Sequence, residues 1–244
     1  MTRTIAIYGG SFDPPHVGHL LVAAHVLATQ PIDVLWFVPT HTHMLGKPLT
    51  AFAHRFEMTR RLTAPLQRRT RVDNAEAMLA ARPGFKGSLT VELIRYLRAE
   101  CPQDTFRFVV GSDLVGQCPT WEGWDEIVAT APPIVVNRAG YVSAAAPHQL
   151  TLPDVSSSAV RAAFAAGEDV SQLVPYTVLE YIQAHGLYPS AKFNAYLARE
   201  QAYRSLCDDT IAPDQAEAVA TELDGLWTDL TPYERRRLNE RGYL

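Results

Sequence analysis

The chain has 244 residues, a length that fits one domain with an appendage or two small domains. Hydrophobic residues make up 47% and charged residues 20% of the chain, which is enough apolar material for a folded core. The net charge is -4 at pH 7, whereas a protein that binds DNA or RNA is expected to carry a basic surface.

Short apolar runs alternate with helical patterns from the N-terminus onward. Residues 5–8 predict a buried strand that stops at a turn at Gly9-Gly10, residues 19–29 predict a helix, and residues 34–38 predict a second buried strand. A strand, a helix and a strand within forty residues indicate a parallel sheet.

The same alternation continues along the chain. Further helices are predicted over 52–62, from a cap at Ser88 or Thr90 to about 100, over 124–130 and over 156–166, and further strands over 106–110 and 134–136. This order favours an α/β fold with a doubly wound, Rossmann-like parallel sheet.

The pattern changes after Pro189. From Ala191 onward there is no strand signal, and two or three helices are predicted. One of them begins where Thr231 can cap, Pro232 suits the first helical position and Glu234 completes a capping box. We therefore divide the chain into a main domain, 1–189, and a helical C-terminal extension, 190–244.

The cysteines and the N-terminus bear on the protein's compartment. Cys101, Cys118 and Cys207 lack CxxC spacing, which argues against a disulfide framework and a structural zinc site. Glycine comes at position 9, too soon for a signal peptide, and no apolar stretch approaches the roughly 18 residues of a membrane span. We expect a cytoplasmic protein with no nucleic-acid and no membrane partner.

The most informative segment is GGSFDPPHVGH, residues 9–19. Its two glycines let the backbone turn and let a ligand approach it, and the N–H groups of such a turn and of the following helix start suit phosphate. His16 and His19 are three residues apart at a predicted helix start, so both can point to one side, and Gly18 between them leaves room for a base or a ribose. These groups fit phosphoryl transfer, in which the protein mainly positions the reactants and neutralises charge.

The extended string GGSFDPPHVGHL resembles the signature of the HxGH nucleotidylyltransferase superfamily. Its Asp-Pro-Pro-His form is most similar to the nicotinate-mononucleotide adenylyltransferase family. Residues 109–114 with the tryptophans at 121 and 124, residues 156–161, and the ending over 173–188 resemble other segments of that family. The resemblance runs from about residue 4 to 189, so it makes 1–189 the nucleotidylyltransferase domain and leaves the extension out.

The resemblance implies an enzyme of NAD biosynthesis that joins ATP and nicotinate mononucleotide into deamido-NAD and releases pyrophosphate. Nicotinamide mononucleotide is a second acceptor to consider, and Mg²⁺ would be carried in with ATP because no dedicated carboxylate cage is visible. A homo-oligomer is left open, since the extension could pack on the main domain or form a subunit contact.

Site residues follow by the same resemblance. The implied catalytic residues are His16, His19, Lys47 and Arg161. The implied ATP-binding residues are Gly9, Gly10, Ser11, Phe12, Gly18, Gly111, Asp113, Ser156 and Ser157. The implied pyridine-nucleotide-binding residues are Thr90, Trp121 and Arg138. Simple helix capping is the alternative interpretation of the two serines, and a core position is the alternative for the tryptophan.

One segment departs from the family pattern. The family has Pro-Pro-His-Lys after its second strand, whereas residues 39–47 here read PTHTHMLGK, so Lys47 is the counterpart of the lysine at a longer spacing. The altered loop leaves the choice between nicotinate and nicotinamide open, because a carboxylate needs donors whereas an amide also uses an acceptor. His41 and His43 lack a third ligand, so no metal site is predicted.

Two other classes of function stay open at this point. One keeps the chemistry and changes the acceptor, as in a phosphopantetheine adenylyltransferase or a cytidylyltransferase. The other is a nucleotide-binding regulator without catalysis, or a fragment of a class I aminoacyl-tRNA synthetase. The Gly-x-Asp segment at 111–113 with its tryptophans argues against the first, and the acidic net charge argues against the synthetase.

Overall fold

The computed structural model describes residues 2–42, 46–66, 68–137, 153, 155–208 and 213–240. The described residues contain a five-stranded parallel sheet in the order β3-β2-β1-β4-β5. Its strands are β1 (Thr4–Gly10), β2 (Val34–Pro39), β3 (Thr70–Val72), β4 (Thr105–Gly111) and β5 (Pro133–Val136). The predicted α/β class with a doubly wound parallel sheet is confirmed.

The strand order fixes where a ligand can bind. The chain winds from β1 outward through β2 to β3 and then returns to the other side of β1 with β4 and β5. The order therefore reverses between β1 and β4, and doubly wound sheets bind ligands at the carboxyl ends of the strands beside such a switch point.

Ten helices are seen in the described part of the chain. They are α1 (Val17–Thr29), α2 (Phe52–Thr63), α3 (Ala75–Ala80), α4 (Thr90–Glu100), α5 (Trp124–Thr130), α6 (Ser157–Ala166), α7 (Tyr176–His185), α8 (Ala191–Asp208), α9 (Pro213–Asp229) and α10 (Pro232–Glu240). Within the described residues, no helix combines the length and the apolar character that crossing a membrane requires.

The core of the sheet follows from the apolar runs. Ile5 and Ile7 of β1 are fully buried, and one cluster joins them to residues of β2 and β4 and to the inner face of α4. Val91, Ile94 and Leu97 form that inner face, as the helical spacing predicts. A central parallel strand is covered on both faces, so its sequence is apolar at nearly every position.

Two local predictions are wrong. The turn predicted at Gly9-Gly10 comes later, because both glycines are still in β1, where they pair with Val38 and Pro39 of β2. Neither Ser88 nor Thr90 caps α4: the N-cap residue is Leu89, and Thr90 is the first helical residue.

The described chain forms two compact units. One contains Met1–Ser157 and Gln172–Val178, and the other contains Ser158–Ser171 and Leu179–Leu244. In the second unit, Phe193 and Tyr196 of α8, Leu230 just after α9 and Leu238 of α10 form a small apolar cluster. The domain boundary between 189 and 190 stays a prediction.

The predicted capping box of α10 is confirmed. The N–H of Glu234 donates to Thr231 Oγ1 at 3.2 Å, and the N–H of Thr231 donates to Glu234 Oε2 at 2.9 Å. The second carboxylate oxygen of Glu234 accepts from the N–H of Ser190 at 3.3 Å, so the start of α10 is tied to the start of α8.

Candidate active site

The carboxyl ends of β1, β2 and β4 bring the predicted ATP-binding segments together. Gly9 and Gly10 end β1, and the carbonyl of Gly10 accepts from the N–H of Thr40, just after β2, at 2.9 Å. Gly111 ends β4 on the other side of β1, and Asp113 follows it in a turn. The predicted residues of β1 and β4 therefore flank the switch point of the sheet.

Phe12 makes the sharp change of direction after β1. Its φ is 48°, a left-handed conformation that is unfavourable for a bulky residue. Its ring is 1% exposed and packs against Tyr8 and Phe37, with both pairs of ring centroids 5.6 Å apart. A Cβ on Gly10 would lie 3.2 Å from this ring, so Gly10 is needed for the aromatic packing.

Phe12 also contacts the second histidine of the motif. Its ring meets the His19 imidazole edge to face, with centroids 4.9 Å apart and an interplanar angle of 70°. The packed aromatic ring thus orients His19, while the main chain of Gly10, Ser11 and Phe12 is the part predicted to meet phosphate.

His16 and His19 lie together at the start of α1. His16 is the N-cap residue and 4% exposed, and the two imidazoles are nearly stacked, with centroids 3.8 Å apart. The N–H of His16 donates to His19 Nδ1 at 3.1 Å. Since an accepting Nδ1 carries no proton, the neutral His19 ring carries its proton on Nε2.

Gly18 is required by the neighbouring imidazole. A Cβ at this position would lie 3.0 Å from both Cε1 and Nδ1 of His16, and 3.7 Å from Cβ of Val155. We expected the missing side chain of Gly18 to leave room for a base or a ribose. In the structure, the His16 ring lies next to the position that a Cβ would take. The role of Gly18 toward ATP stays a prediction.

The loop after β2 carries the predicted lysine. Lys47 is exposed and lines a cavity of about 370 Å³. Its other lining residues are His41, Thr42, Gly46, Leu49, Thr50, Ala51, Phe52 and Arg55. His43 lies outside the described residues.

The predicted pyridine-binding residues Thr90 and Trp121 lie near each other. Gly123 has a φ of 69°, and a Cβ on it would lie 2.7 Å from Val91 Cγ2, so the turn after Trp121 packs against the start of α4. The Trp121 ring is partly buried and meets Phe108 edge to face, with centroids 6.0 Å apart. Trp121 therefore borders the core without being enclosed by it.

The start of α6 is joined to the histidine motif through Ser157. Its hydroxyl donates to the carbonyl of Pro14 at 2.9 Å, and its role toward phosphate stays a prediction. Ser156 immediately precedes α6. Arg161 belongs to the second unit, where its Nη2 donates to Ser158 Oγ at 3.2 Å. Arg138 lies outside the described residues.

Sequence reasoning missed three buried charged residues beside this site. Asp13, Arg55 and Glu76 are 3%, 1% and 4% exposed. A signal existed only for Asp13, which is part of the motif; Arg55 and Glu76 occupy ordinary helical positions in α2 and α3. Among the described residues, no group of three or more His, Cys, Asp or Glu side chains is placed to hold a metal ion.

Comparison with known proteins places this site in a family. A family model described as Cytidylyltransferase-like matches residues 7–163. The probable nicotinate-nucleotide adenylyltransferase of Anaeromyxobacter sp. (strain K) is 44% identical over 186 residues, which are 76% of this chain and 97% of that protein. The chain belongs to the nicotinate-nucleotide adenylyltransferase family.

A second sequence relative and a solved structure give the same picture of the family and of the fold. The probable nicotinate-nucleotide adenylyltransferase of Myxococcus xanthus (strain DK1622) is 38% identical over 75% of this chain and 94% of that protein. The fold is similar to that of Plasmodium falciparum nicotinic acid mononucleotide adenylyltransferase complexed with NaAD, with a TM-score of 0.63 and 22% identity over 76% of this chain and 97% of that one. The family predicted from the motifs is confirmed.

Proposed function

We propose that this enzyme transfers the adenylyl group of ATP to nicotinate mononucleotide in NAD biosynthesis, forming deamido-NAD and pyrophosphate. The observation that carries the proposal is the pair of imidazoles of His16 and His19, whose centroids are 3.8 Å apart, at the start of α1 beside the switch point of the sheet. The named relatives favour this acceptor over phosphopantetheine and favour an enzyme over a regulator.

The reaction makes one bond and breaks one. A phosphate oxygen of the mononucleotide attacks the α-phosphorus of ATP, and the bond from that phosphorus to the bridging β-oxygen breaks, so pyrophosphate leaves with the electron pair. Negative charge builds up on the transferring group and on the leaving oxygen. The protein therefore needs donors and cations fixed in position before the reaction.

The start of α1 supplies such donors. The Nε2–H of neutral His19 is a hydrogen-bond donor whose direction is set by the Nδ1 contact with His16 and by the edge of Phe12. The helix N-terminus adds the positive end of the helix dipole. Lys47, Arg161, Ser156, Ser157, Gly111 and Asp113 take the phosphate and ribose roles that the sequence implies.

The start of α4 favours a nicotinate over a nicotinamide ring. Leu89 is the N-cap residue and has no side chain that can accept from the first N–H groups of the helix, and Thr90 adds a hydroxyl there. N–H groups and a helix dipole favour a carboxylate over a neutral amide. Trp121, next to this helix start, offers an aromatic edge for the pyridine ring.

The proposal also covers the metal ion, the binding partners and the cellular compartment. Mg²⁺ enters as part of the Mg·ATP substrate and neutralises its phosphates. The mononucleotide and ATP are the partners, and a homo-oligomer stays a prediction. The cytoplasm, where both nucleotides are available, is the proposed compartment.

An acceptor screen tests the proposal. Purified protein with Mg·ATP is offered nicotinate mononucleotide, nicotinamide mononucleotide or phosphopantetheine, and pyrophosphate release is followed, with CTP replacing ATP in a parallel series. We expect turnover with ATP and nicotinate mononucleotide, slower turnover with the nicotinamide form, and none with phosphopantetheine or CTP. Turnover only with phosphopantetheine, or ATP binding without turnover on any acceptor, would refute the proposed substrate.

A further inference from the structure

Arg55 of α2 is buried with its guanidinium among main-chain carbonyls. Its Nε donates to Thr50 O at 2.7 Å, Nη1 to Ser11 O at 2.8 Å and Nη2 to His41 O at 3.2 Å. These carbonyls come from two segments: Ser11 lies in the loop after β1, and His41 and Thr50 lie in the connection between β2 and α2. The rigid planar fork of arginine can bind three carbonyls at fixed angles, which the single ammonium of lysine cannot match.

Two of the three carbonyls belong to residues at the two ends of the loop that contains Lys47, residues 41–50. His41 lies at its start and Thr50 at its end, so one side chain bridges residues 41 and 50. Fixing both ends of the loop in this way removes conformations that Lys47 could otherwise adopt. The third carbonyl, Ser11, belongs to the main chain that is predicted to meet phosphate.

The peptide groups at both ends of this loop are held from two sides. The N–H of His41 donates to Glu76 Oε2 at 3.5 Å while its carbonyl accepts from Arg55. The N–H of Thr50 donates to Asp13 Oδ2 at 3.2 Å while its carbonyl accepts from Arg55. Both ends are therefore fixed by charged groups, which make stronger hydrogen bonds than neutral ones.

Two further contacts stabilise the start of this loop. The N–H of Thr42 donates to Ser88 Oγ at 3.2 Å, and the His41 ring packs against Phe52 with centroids 5.4 Å apart. Burial raises the pKa of Glu76, and its hydrogen bonds with Ser88 and the His41 N–H and the charge of Arg55 offset part of this rise. A buried cation is costly unless its hydrogen bonds are made, so Arg55 strongly favours the conformation in which all three carbonyls are in place.

We propose that Arg55 is a positioning residue of the adenylyl transfer: it clasps both ends of the 41–50 loop and the Ser11 peptide, and so sets Lys47 and the loop after β1 before ATP binds. The inference rests on the proposed function for its effect on turnover. The clasp itself can be measured without activity, because the amides of residues 40, 41, 42 and 50 all donate hydrogen bonds.

The test compares Arg55→Lys with Arg60→Lys in the full-length protein. Arg60 lies on the same helix, but its side chain is 57% exposed and pairs with Glu57. Amide hydrogen exchange is read by mass spectrometry on peptides covering 40–50, with peptides of β4 as an internal reference. We expect Arg55→Lys to speed exchange over 40–50 by about tenfold or more and to leave β4 unchanged, and Arg60→Lys to leave both unchanged.

Turnover then separates positioning from general stability. Arg55→Lys should lower kcat by about 10- to 100-fold, since small misplacements are costly in phosphoryl transfer. In a Lys47→Ala background the same change should cost clearly less than in the wild-type background, because only its effect through the Ser11 peptide remains. If Arg55→Lys does not fold, Arg55→Gln, which is neutral and therefore cheaper to bury, takes its place.

The outcomes are distinct. Unchanged exchange over 40–50, or full additivity with Lys47→Ala, would overturn the positioning role. A wild-type protein that uses no pyridine mononucleotide would overturn the proposed function and the positioning role with it, and exchange would still decide whether Arg55 holds the loop.

Discussion

At the start of α1, His19 occupies the position that Glu or Gln has in most capping boxes, and it accepts from the N–H of the N-cap residue in the same way. The same contact fixes which ring nitrogen carries the proton. One hydrogen bond therefore contributes both to helix stability and to the chemistry, and two substitutions can separate the contributions.

His19→Asn and His19→Ala should lose the same activity but differ in stability. The Oδ1 atom of Asn takes the place of Nδ1 and keeps the bond from the His16 N–H, whereas both variants lose the Nε2 donor. We expect turnover to fall by about 10²- to 10³-fold in both, and the unfolding free energy to fall by about 1 kcal/mol only in the alanine variant. Urea unfolding and pyrophosphate release measure the two effects. Equal stabilities would show that the Nδ1 contact does not support the helix.

Gly18→Ala should lower activity without lowering stability. The added Cβ lies 3.0 Å from the His16 ring, which must move by a few tenths of an ångström, and we expect turnover to fall by about tenfold. Alanine is also the better helix former, by about 1 kcal/mol in an exposed helix interior, so Tm should not drop. Gly116→Ala is the matched control, since nothing lies within 4 Å of its Cβ position. Full activity in Gly18→Ala would contradict the assigned packing.

Among single residues, the sequence placed the two histidines at a helix start, where the structure has them, and gave no sign of Arg55. The motif is contiguous, so its strand–turn–helix context can be read locally. Arg55 acts through carbonyls 5, 14 and 44 residues away, and no local pattern encodes those distances. An arginine in an otherwise polar α2 looks like a solvated residue until the tertiary contacts are known.

Among the elements, four of the five strands, including the edge strand β5, were predictable, and the other edge strand, β3, was not. β1, β2, β4 and β5 are apolar runs because the sheet is covered on both faces. β3 has only the three residues Thr70, Arg71 and Val72, and Arg71 is exposed at the edge, where it lies over Trp36 at 4.6 Å. Its sequence carries no strand pattern, and α3 and α7 were missed as well.

The ion pair of Asp104 should make the stability of the folded protein depend on acidic pH. Asp104 precedes β4 and accepts from the N–H of Arg3 before β1 at 3.0 Å, and its carboxylate pairs with the Arg3 guanidinium at 2.5 Å. The hydrogen bond and charge of Arg3 hold the pKa of Asp104 below its ordinary value of 3.8. A lowered pKa gives stability that is present above the ordinary value and lost as the pH falls through the folded-state pKa.

We therefore expect Asp104→Asn to lower Tm at neutral pH, and the gap between variant and wild type to close as the pH falls below 3.8. Thermal melts between neutral and strongly acidic pH measure it. Glu122→Gln, which removes an exposed carboxylate, should show no such convergence. A gap that stays constant with pH would mean that the charge of Asp104 contributes nothing.

For the whole molecule, the fold class followed from the alternation of strands and helices, whereas the domain boundary between 189 and 190 stays a prediction. The composition change after Pro189 marks the α8–α10 segment correctly as all-helical. However, residues 158–171 and 179–189 fall in the same compact unit as that segment, because packing and not composition decides which helices cluster.

Deleting residues 190–244 should leave turnover within about threefold of the full chain. The Anaeromyxobacter relative is matched over 97% of its length by 76% of this chain, and the cluster of Phe193, Tyr196, Leu230 and Leu238 lies entirely in the deleted segment. Turnover and solution mass of the truncated protein check this. A folded but inactive truncation would make the extension part of the active enzyme.

The central claim is adenylyl transfer to a pyridine mononucleotide, and the fate of the two ends of ATP tests it most directly. Protein is incubated with nicotinate mononucleotide and ATP labelled on either the α- or the γ-phosphate, and the products are separated. We expect the α-label in deamido-NAD and the γ-label in pyrophosphate, with both transfers slowed by about 10²- to 10³-fold in His19→Ala. A γ-label on the mononucleotide, or no labelled dinucleotide from an ATP-binding protein, would contradict the account.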